Sequence, residues 1–97
     1  MLRIRTTYNS SSFTADEIEQ IFHNAVTASP INTVLNEQVS ANSIQMTKSN
    51  DTFITIAQYE NSTDADKIWS NHNTDIENLR QHIASFGITI RKEYLNN

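Results

Sequence analysis

The stretch from Asn61 to Phe86, NSTDADKIWSNHNTDIENLRQHIASF, is the one that the rest of the chain must pack against, and we call it the organising stretch. Its apolar residues recur at steps of three and four throughout, which is the period of a helix with one buried face. We expect Asn61 or Ser62 to cap the start of this helix. A capping-box pattern from Thr74 to Glu77 predicts a break near His72 and Asn73, giving two pieces at about 63–72 and 75–86. Gly87 follows where a helix would end.

The rest of the chain supplies strands for this helical stretch to cover. Alternation of apolar and polar residues predicts strands at about 2–8, 43–48, 52–60 and 88–94. Thr14 and Glu17 match a capping box, so a first helix is expected from Ala15 to Ala28, before Pro30. Residues 31–42 fit a short helical turn, an edge strand or a packed loop.

This order of elements, β-α-β-β-α-β, predicts the ferredoxin-like arrangement of the α+β class. We expect one domain, residues 1–97, in which two helices cover one face of a four-stranded antiparallel sheet. The helix-facing residues of the sheet are predicted to be Leu2, Ile4, Ile44, Met46, Ile88 and Ile90. Arg3, Arg5 and Arg91 would then lie on the opposite face. Pairing with Glu93 or a dimer contact is a better explanation of these arginines than an anion site.

Composition limits the function classes. The chain has 97 residues, a net charge of −4 and scattered basic residues, which disfavours nucleic acid as a partner. It has no cysteine and no apolar run long enough to span a membrane, so we expect a cytoplasmic protein that does not bind membranes. The apolar share of 37% is low, and a homodimer would complete the burial.

One segment contains, in order, the strand Phe53–Tyr59, the turn Glu60–Ser62, the acidic segment Asp64–Asp66 and Trp69. This segment resembles the strand-to-helix junction of dimeric α+β barrel proteins. That superfamily includes the antibiotic-biosynthesis monooxygenase-like domains. The resemblance implies a dimer that packs its sheets by their helix-free faces. It also implies a cavity between sheet and helices, with cofactor-independent oxidation of an aromatic substrate, so we expect no cofactor.

Haem-degrading members of that superfamily use an asparagine, a tryptophan and a histidine. Asn9 matches the asparagine, whereas Tyr59 and Trp69 occupy the places of the tryptophan and the histidine. Haem degradation is therefore not expected here.

The candidate site follows from placing the first and third strands parallel and adjacent. Tyr8 and Tyr59 would then meet at one sheet edge beside Asn9 and Trp69, and these four residues are the predicted ligand-binding residues. His72 is the candidate catalytic acid or base, because it lies in the apolar stripe. The alternative is that these residues only pack, in a non-catalytic dimerisation or protein-interaction module.

A metal site is not predicted. His72 and Asp75 are three residues apart on one helix and could share an ion, but the sequence places no third ligand beside them.

Overall fold

The computed structural model describes residues 2–40 and 43–96 and shows an α+β fold. Its elements in chain order are β1 (Leu2–Asn9), α1 (Ala15–Thr27), α2 (Asn32–Ser40), β2 (Ile44–Ser49), β3 (Thr52–Tyr59), α3 (Ser62–Ser70), α4 (Asn73–Ala84) and β4 (Thr89–Asn96). The described residues form four helices. The division of the second predicted helix near His72 was expected, whereas α2, in the stretch 31–42 that the sequence left open, was not predicted as a helix.

The four strands form one sheet in the order β2-β3-β1-β4, and every neighbouring pair is antiparallel. The predicted four-stranded antiparallel sheet is therefore confirmed. The expectation that β1 and β3 are parallel is wrong: Tyr8 lies opposite Phe53, and Leu2 lies opposite Tyr59. The tight turn between β2 and β3 makes that pair antiparallel. Strand β3 is also antiparallel to β1, so its carboxyl end lies beside the amino end of β1.

Local sequence explains the limits of α1. The Thr14 hydroxyl accepts a hydrogen bond from the Glu17 N–H at 3.3 Å, and the Thr14 N–H donates to Glu17 Oε1 at 3.0 Å. Both bonds of the predicted capping box are thus formed, and they satisfy amides that the first turn leaves free. The helix ends at Thr27, just before Pro30, since proline disfavours helical geometry in the residue that precedes it.

Helix α2 occupies the stretch that the sequence left open. Ile31, immediately before it, is 1% exposed, and Leu35 packs against the buried core. Two side chains on adjacent turns, Asn32 and Asn36, hydrogen-bond each other at 3.0 Å. Helix α2 thus packs on the same side of the sheet as the core and extends the cover that the other helices provide there.

The break in the organising stretch is confirmed, but its predicted cap is wrong. Asn61 caps α3 by accepting a hydrogen bond from the Asp64 N–H at 3.0 Å. Helix α4 begins at Asn73 with His72 as its cap residue, so Thr74 lies inside the first turn and is not a capping residue. After α4, Gly87 adopts a left-handed φ of 83°, a conformation that costs glycine little.

The helices share one side of the sheet, where the core divides into two clusters. The larger cluster contains Tyr8, Ile18, Phe22, Ala25, Val26, Phe53, Ile83 and Ile88. The smaller cluster contains Leu2, Ile4, Tyr59 and Ala65, with Ile68 and Trp69 packed against it. Helices α1 and α4 therefore cover one end of the sheet, and α3 covers the other.

The opposite side of the sheet, which we call the outer face, carries none of the buried residues. From the strand register it comprises Arg3, Arg5, Thr7, Asn9, Gln45, Thr47, Ser49, Thr52, Ile54, Ile56, Gln58, Thr89, Arg91, Glu93 and Leu95. Arg5 Nη2 and Glu93 Oε2 form an ion pair at 2.9 Å across β1 and β4. The predicted pairing of these arginines with Glu93 is confirmed for Arg5.

In the parts of the chain described above, no helix has both the length and the apolar character needed to cross a membrane.

Candidate functional site

Tyr8 lies in the larger cluster, where it packs among aromatic side chains. Its ring centroid is 5.6 Å from that of Phe22 and 5.7 Å from that of Phe53. Burial raises the pKa of Tyr8 from 10.0 to about 12, because the phenolate would lose its hydration. Tyr8 is 7% exposed, so at this position its role is packing.

Asn9 lies at the same end of the sheet as Tyr8. Its side-chain amide donates to Thr52 Oγ1 at 3.2 Å on an exposed part of the surface. A shallow depression lies nearby and is lined by residues 10–14 and by the turn residues Asn50 and Asp51. Asn9 is not part of its lining.

Tyr59 and Trp69 are brought together in the smaller cluster. The Trp69 indole N–H donates to the Tyr59 hydroxyl, and the two rings meet edge to face with centroids 6.4 Å apart. The Tyr59 hydroxyl in turn donates to Gln38 Oε1 at 3.3 Å, which connects α2 to this pair. Burial raises the pKa of Tyr59 to about 12.

The predicted ligand-binding residues thus lie at opposite ends of the sheet, and only Tyr59 and Trp69 are in contact. At the other end, Tyr8 faces the helices whereas Asn9 lies on the outer face. Tyr8 pairs with Phe53 and Tyr59 pairs with Leu2, six residues further along β3. At about 3.3 Å for each residue, these positions are about 20 Å apart. The expected meeting of Tyr8 and Tyr59 at one edge is wrong, because it assumed a parallel β1–β3 pair.

His72 lies at the junction of α3 and α4. Its backbone N–H donates to the Trp69 carbonyl at 3.2 Å, and its own carbonyl accepts from the Ile76 N–H at 2.9 Å. The imidazole makes no capping hydrogen bond at the start of α4. Within residues 2–40 and 43–96, no three histidine, aspartate or glutamate side chains are grouped so as to hold a metal ion.

A cleft of about 370 Å³ lies between α3 and the strands β1 and β4, and we call it the α3 cleft. Leu2 and Ile4 of β1 form its floor together with Ala65, and all three are buried. Ser62, Asp66 and Trp69 complete the wall that α3 provides. The spacing of these α3 residues is three or four, so they occupy one face of the helix.

Strand β4 provides the other wall with Lys92 and Tyr94. Tyr94 is 63% exposed although it lies on the helical side of the sheet, because it is at the end of β4 that α4 leaves uncovered. The Lys92 ammonium lies 5.5 Å from the centroid of the Tyr94 ring, within the range of a cation–π interaction. The aromatic surface of this wall is therefore presented to solvent beside a positive charge.

The α3 cleft also contains a negative charge, on Asp66. Asp66 and Lys92 lie on different walls, and neither takes part in an ion pair among the described residues. The cleft thus combines an apolar floor, two aromatic side chains and one uncompensated charge of each sign. This composition is typical of sites that bind small organic molecules.

Trp69 of the α3 cleft was predicted from the sequence as a ligand-binding residue, whereas Asp66, Lys92 and Tyr94 were not. The alternation along the last strand did place Tyr94 on the same side as Ile88 and Ile90. The signal in the sequence was a tyrosine on the helix-facing side of the last strand, two residues after Lys92. To recognise it as part of a cleft, one would need to know that α4 covers only the beginning of β4.

No family model, no curated protein and no solved structure matches this chain.

Proposed function

We propose that this chain is a ferredoxin-like domain that binds a small aromatic molecule in the α3 cleft. The strand order β2-β3-β1-β4 and the sequence of strands and helices support the fold assignment, with α2 as an additional helix. The observation that carries the functional proposal is the exposed Tyr94 ring facing a cleft that also contains Trp69 and two uncompensated charges.

The proposal agrees in place with the family resemblance. The residues that resemble the monooxygenase-like domains run from Phe53 to Trp69, and they form β3, the β3–α3 turn and most of α3. In the structure, this segment provides one wall of the cleft. An aromatic ligand in that position would bury apolar surface of Tyr94, which is 63% exposed, at about 25 cal/mol for each Å² removed from water.

We propose binding and not oxidation as the function of this site. The candidate catalytic residue, His72, is absent from the cleft lining and lies at the junction that follows α3. A catalytic role for His72 would require the ligand to extend past Trp69 to that junction. The variant His72→Ala separates the two cases, because ligand affinity is expected to remain within about twofold if His72 lies outside the site.

The test is a titration of ¹⁵N-labelled protein with a panel of one- and two-ring aromatic compounds. Trp69 is the only tryptophan, so its indole N–H gives one assigned signal that lies in the cleft wall. We expect saturable shifts of this signal together with the amides of Ala65 and Tyr94. Saturable shifts confined to other parts of the chain, or none with any compound, would contradict the proposed site.

A second candidate function is formation of a homodimer through the outer face. Ile54, Ile56 and Leu95 place apolar side chains on this face, and no described helix covers it. Four strands about 4.8 Å apart and about eight residues long give roughly 500 Å² per copy. Two such faces would bury about 1,000 Å², which is near the lower limit for a specific interface. We propose a second copy of this chain as the partner.

Light scattering on a sizing column, over a range of concentrations, tests the dimer. We expect a concentration-dependent dimer that Ile56→Lys converts to monomer, while Thr33→Lys on exposed α2 leaves it intact. A strict monomer at high concentration would exclude this interface. Circular dichroism of both variants checks that they remain folded.

A further inference from the structure

Resting on the proposed function, we propose that the ligand of the α3 cleft is an aromatic zwitterion, with one amine and one carboxylate on an aromatic scaffold. An aromatic amino acid is the simplest member of this class. The proposal is carried by the Asp66 and Lys92 side chains, which lie on different walls of the cleft that also contains Trp69 and Tyr94.

The charges in the cleft sum to zero, and this selects among ligands. A ligand anion would pair with Lys92 but would leave Asp66 beside it without a partner. A ligand cation would do the reverse. Because desolvating an unpaired charge is unfavourable, a ligand that carries both charges is the one that compensates both walls. A neutral ligand would desolvate both charges and gain no ion pair.

The aromatic part of the ligand has a separate site. The Tyr94 ring already has the Lys92 ammonium 5.5 Å from its centroid, and it remains 63% exposed. The Trp69 indole N–H is engaged by Tyr59, so Trp69 offers ring surface and not a donor. A planar ring between these side chains would make aromatic contacts, while Leu2 and Ile4 supply the apolar floor.

The size of the cleft fits one ligand of this class. Its volume of about 370 Å³ falls at the lower end of the range for small-molecule sites, roughly 300–1,000 Å³. A compound with one or two fused rings and a short charged chain fits within that space.

Four indole compounds with different charges provide the test: L-tryptophan carries both charges, indole-3-propionate only the negative one, tryptamine only the positive one, and 3-methylindole neither. Dissociation constants come from shifts of the Trp69 indole signal in ¹⁵N-labelled protein, in which the unlabelled ligands are silent. We expect tryptophan to bind most tightly.

Two variants assign the charges. Lys92→Met is expected to lower the affinity for tryptophan and indole-3-propionate about fivefold, without lowering the affinity for tryptamine. Asp66→Asn is expected to lower the affinity for tryptophan and tryptamine by a similar factor, without lowering the affinity for indole-3-propionate. A factor of about five is at the upper end for exposed ion pairs. The matched controls are Lys67→Met and Asp64→Asn, which change the same residue types on α3 outside the cleft lining.

The outcomes separate this inference from the proposed function. If 3-methylindole binds at the cleft as tightly as tryptophan and neither variant changes the constants, the zwitterion is wrong while the cleft remains a binding site. If only one charge matters, the ligand is an anion or a cation and the inference is likewise wrong. If none of the four compounds shifts the signal but other aromatic compounds do, the zwitterion inference is wrong and the proposed binding site stands. Failure of both panels overturns both proposals.

Discussion

At the scale of the residue, the Tyr59 hydroxyl is the point where three elements meet. It accepts a hydrogen bond from Trp69 of α3 and donates one to Gln38 of α2, while its backbone belongs to β3. Tyr59→Phe removes the partner of both groups. We expect a loss of about 1–2 kcal/mol in the free energy of unfolding, measured by urea denaturation, because half-buried polar groups are left unpaired.

Tyr94→Phe is the matched control for Tyr59→Phe. Tyr94 is 63% exposed, and its ring contacts Lys92. Among the interactions described above, its hydroxyl makes no hydrogen bond. This variant is expected to change stability by no more than about 0.5 kcal/mol. Equal losses in the two variants would show that the hydrogen bonds of Tyr59 do not contribute to stability.

The buried hydroxyls of Tyr8 and Tyr59 predict how stability depends on pH. Burial raises the pKa of both Tyr8 and Tyr59 from 10.0 to about 12, so the folded protein holds these two protons more tightly than the unfolded chain does. Their contribution is fully present below pH 10 and is lost as the pH rises from 10 to 12. Urea midpoints at pH 9, 10 and 11 should fall, and they should fall less steeply in Tyr8→Phe. An unchanged slope in that variant would contradict the assignment.

At the scale of the element, the turn between β2 and β3 depends on one residue. Asn50 has a φ of 54°, a left-handed value that β-branched residues rarely adopt, and its carbonyl accepts from the Ala15 N–H at 3.1 Å. We expect Asn50→Val to lose about 1–2 kcal/mol and Asn50→Gly to remain within about 0.5 kcal/mol of the native protein. Urea denaturation measures both, and equal stabilities would exclude backbone strain as the cause.

The elements also show how far the sequence leads. Capping residues predicted helix starts well at Thr14 and Asn61, because a cap is a local interaction. The strands were predicted by alternation for the same reason. To predict the residues of the cleft, one needs the direction of β3 in the sheet and the part of β4 that α4 covers. Both depend on contacts between residues far apart in the sequence. Tyr8 was placed beside Tyr59 for lack of the first, and Tyr94 was not placed in the cleft for lack of the second.

At the scale of the whole molecule, charge is distributed unevenly. Apart from Arg3, the charged side chains of the outer face are Arg5 and Arg91 against Glu93, which together have a net charge of +1 in a chain of net charge −4. Two outer faces that meet in a dimer would therefore repel each other. Salt screens such repulsion, since the Debye length falls from about 10 Å at 0.1 M to about 3 Å at 1 M.

We therefore expect the dimer dissociation constant to decrease as sodium chloride rises from 0.1 M to 1 M, as measured by sedimentation equilibrium. Arg91→Gln removes one charge from each face and should reduce this dependence on salt. Weaker association at high salt would show that ion pairs between the two copies dominate the interface, contrary to the charge sum.

The division of the core into two clusters has a consequence for how this sequence can change over evolutionary time. The larger cluster joins α1 and α4 to the sheet through eight buried side chains, whereas the smaller one joins α3 through four. Most substitutions at the α3 end therefore place fewer buried contacts at risk. A descendant of this protein could change the walls of the cleft, and with them what the cleft binds, while the α1 end continues to keep the chain folded.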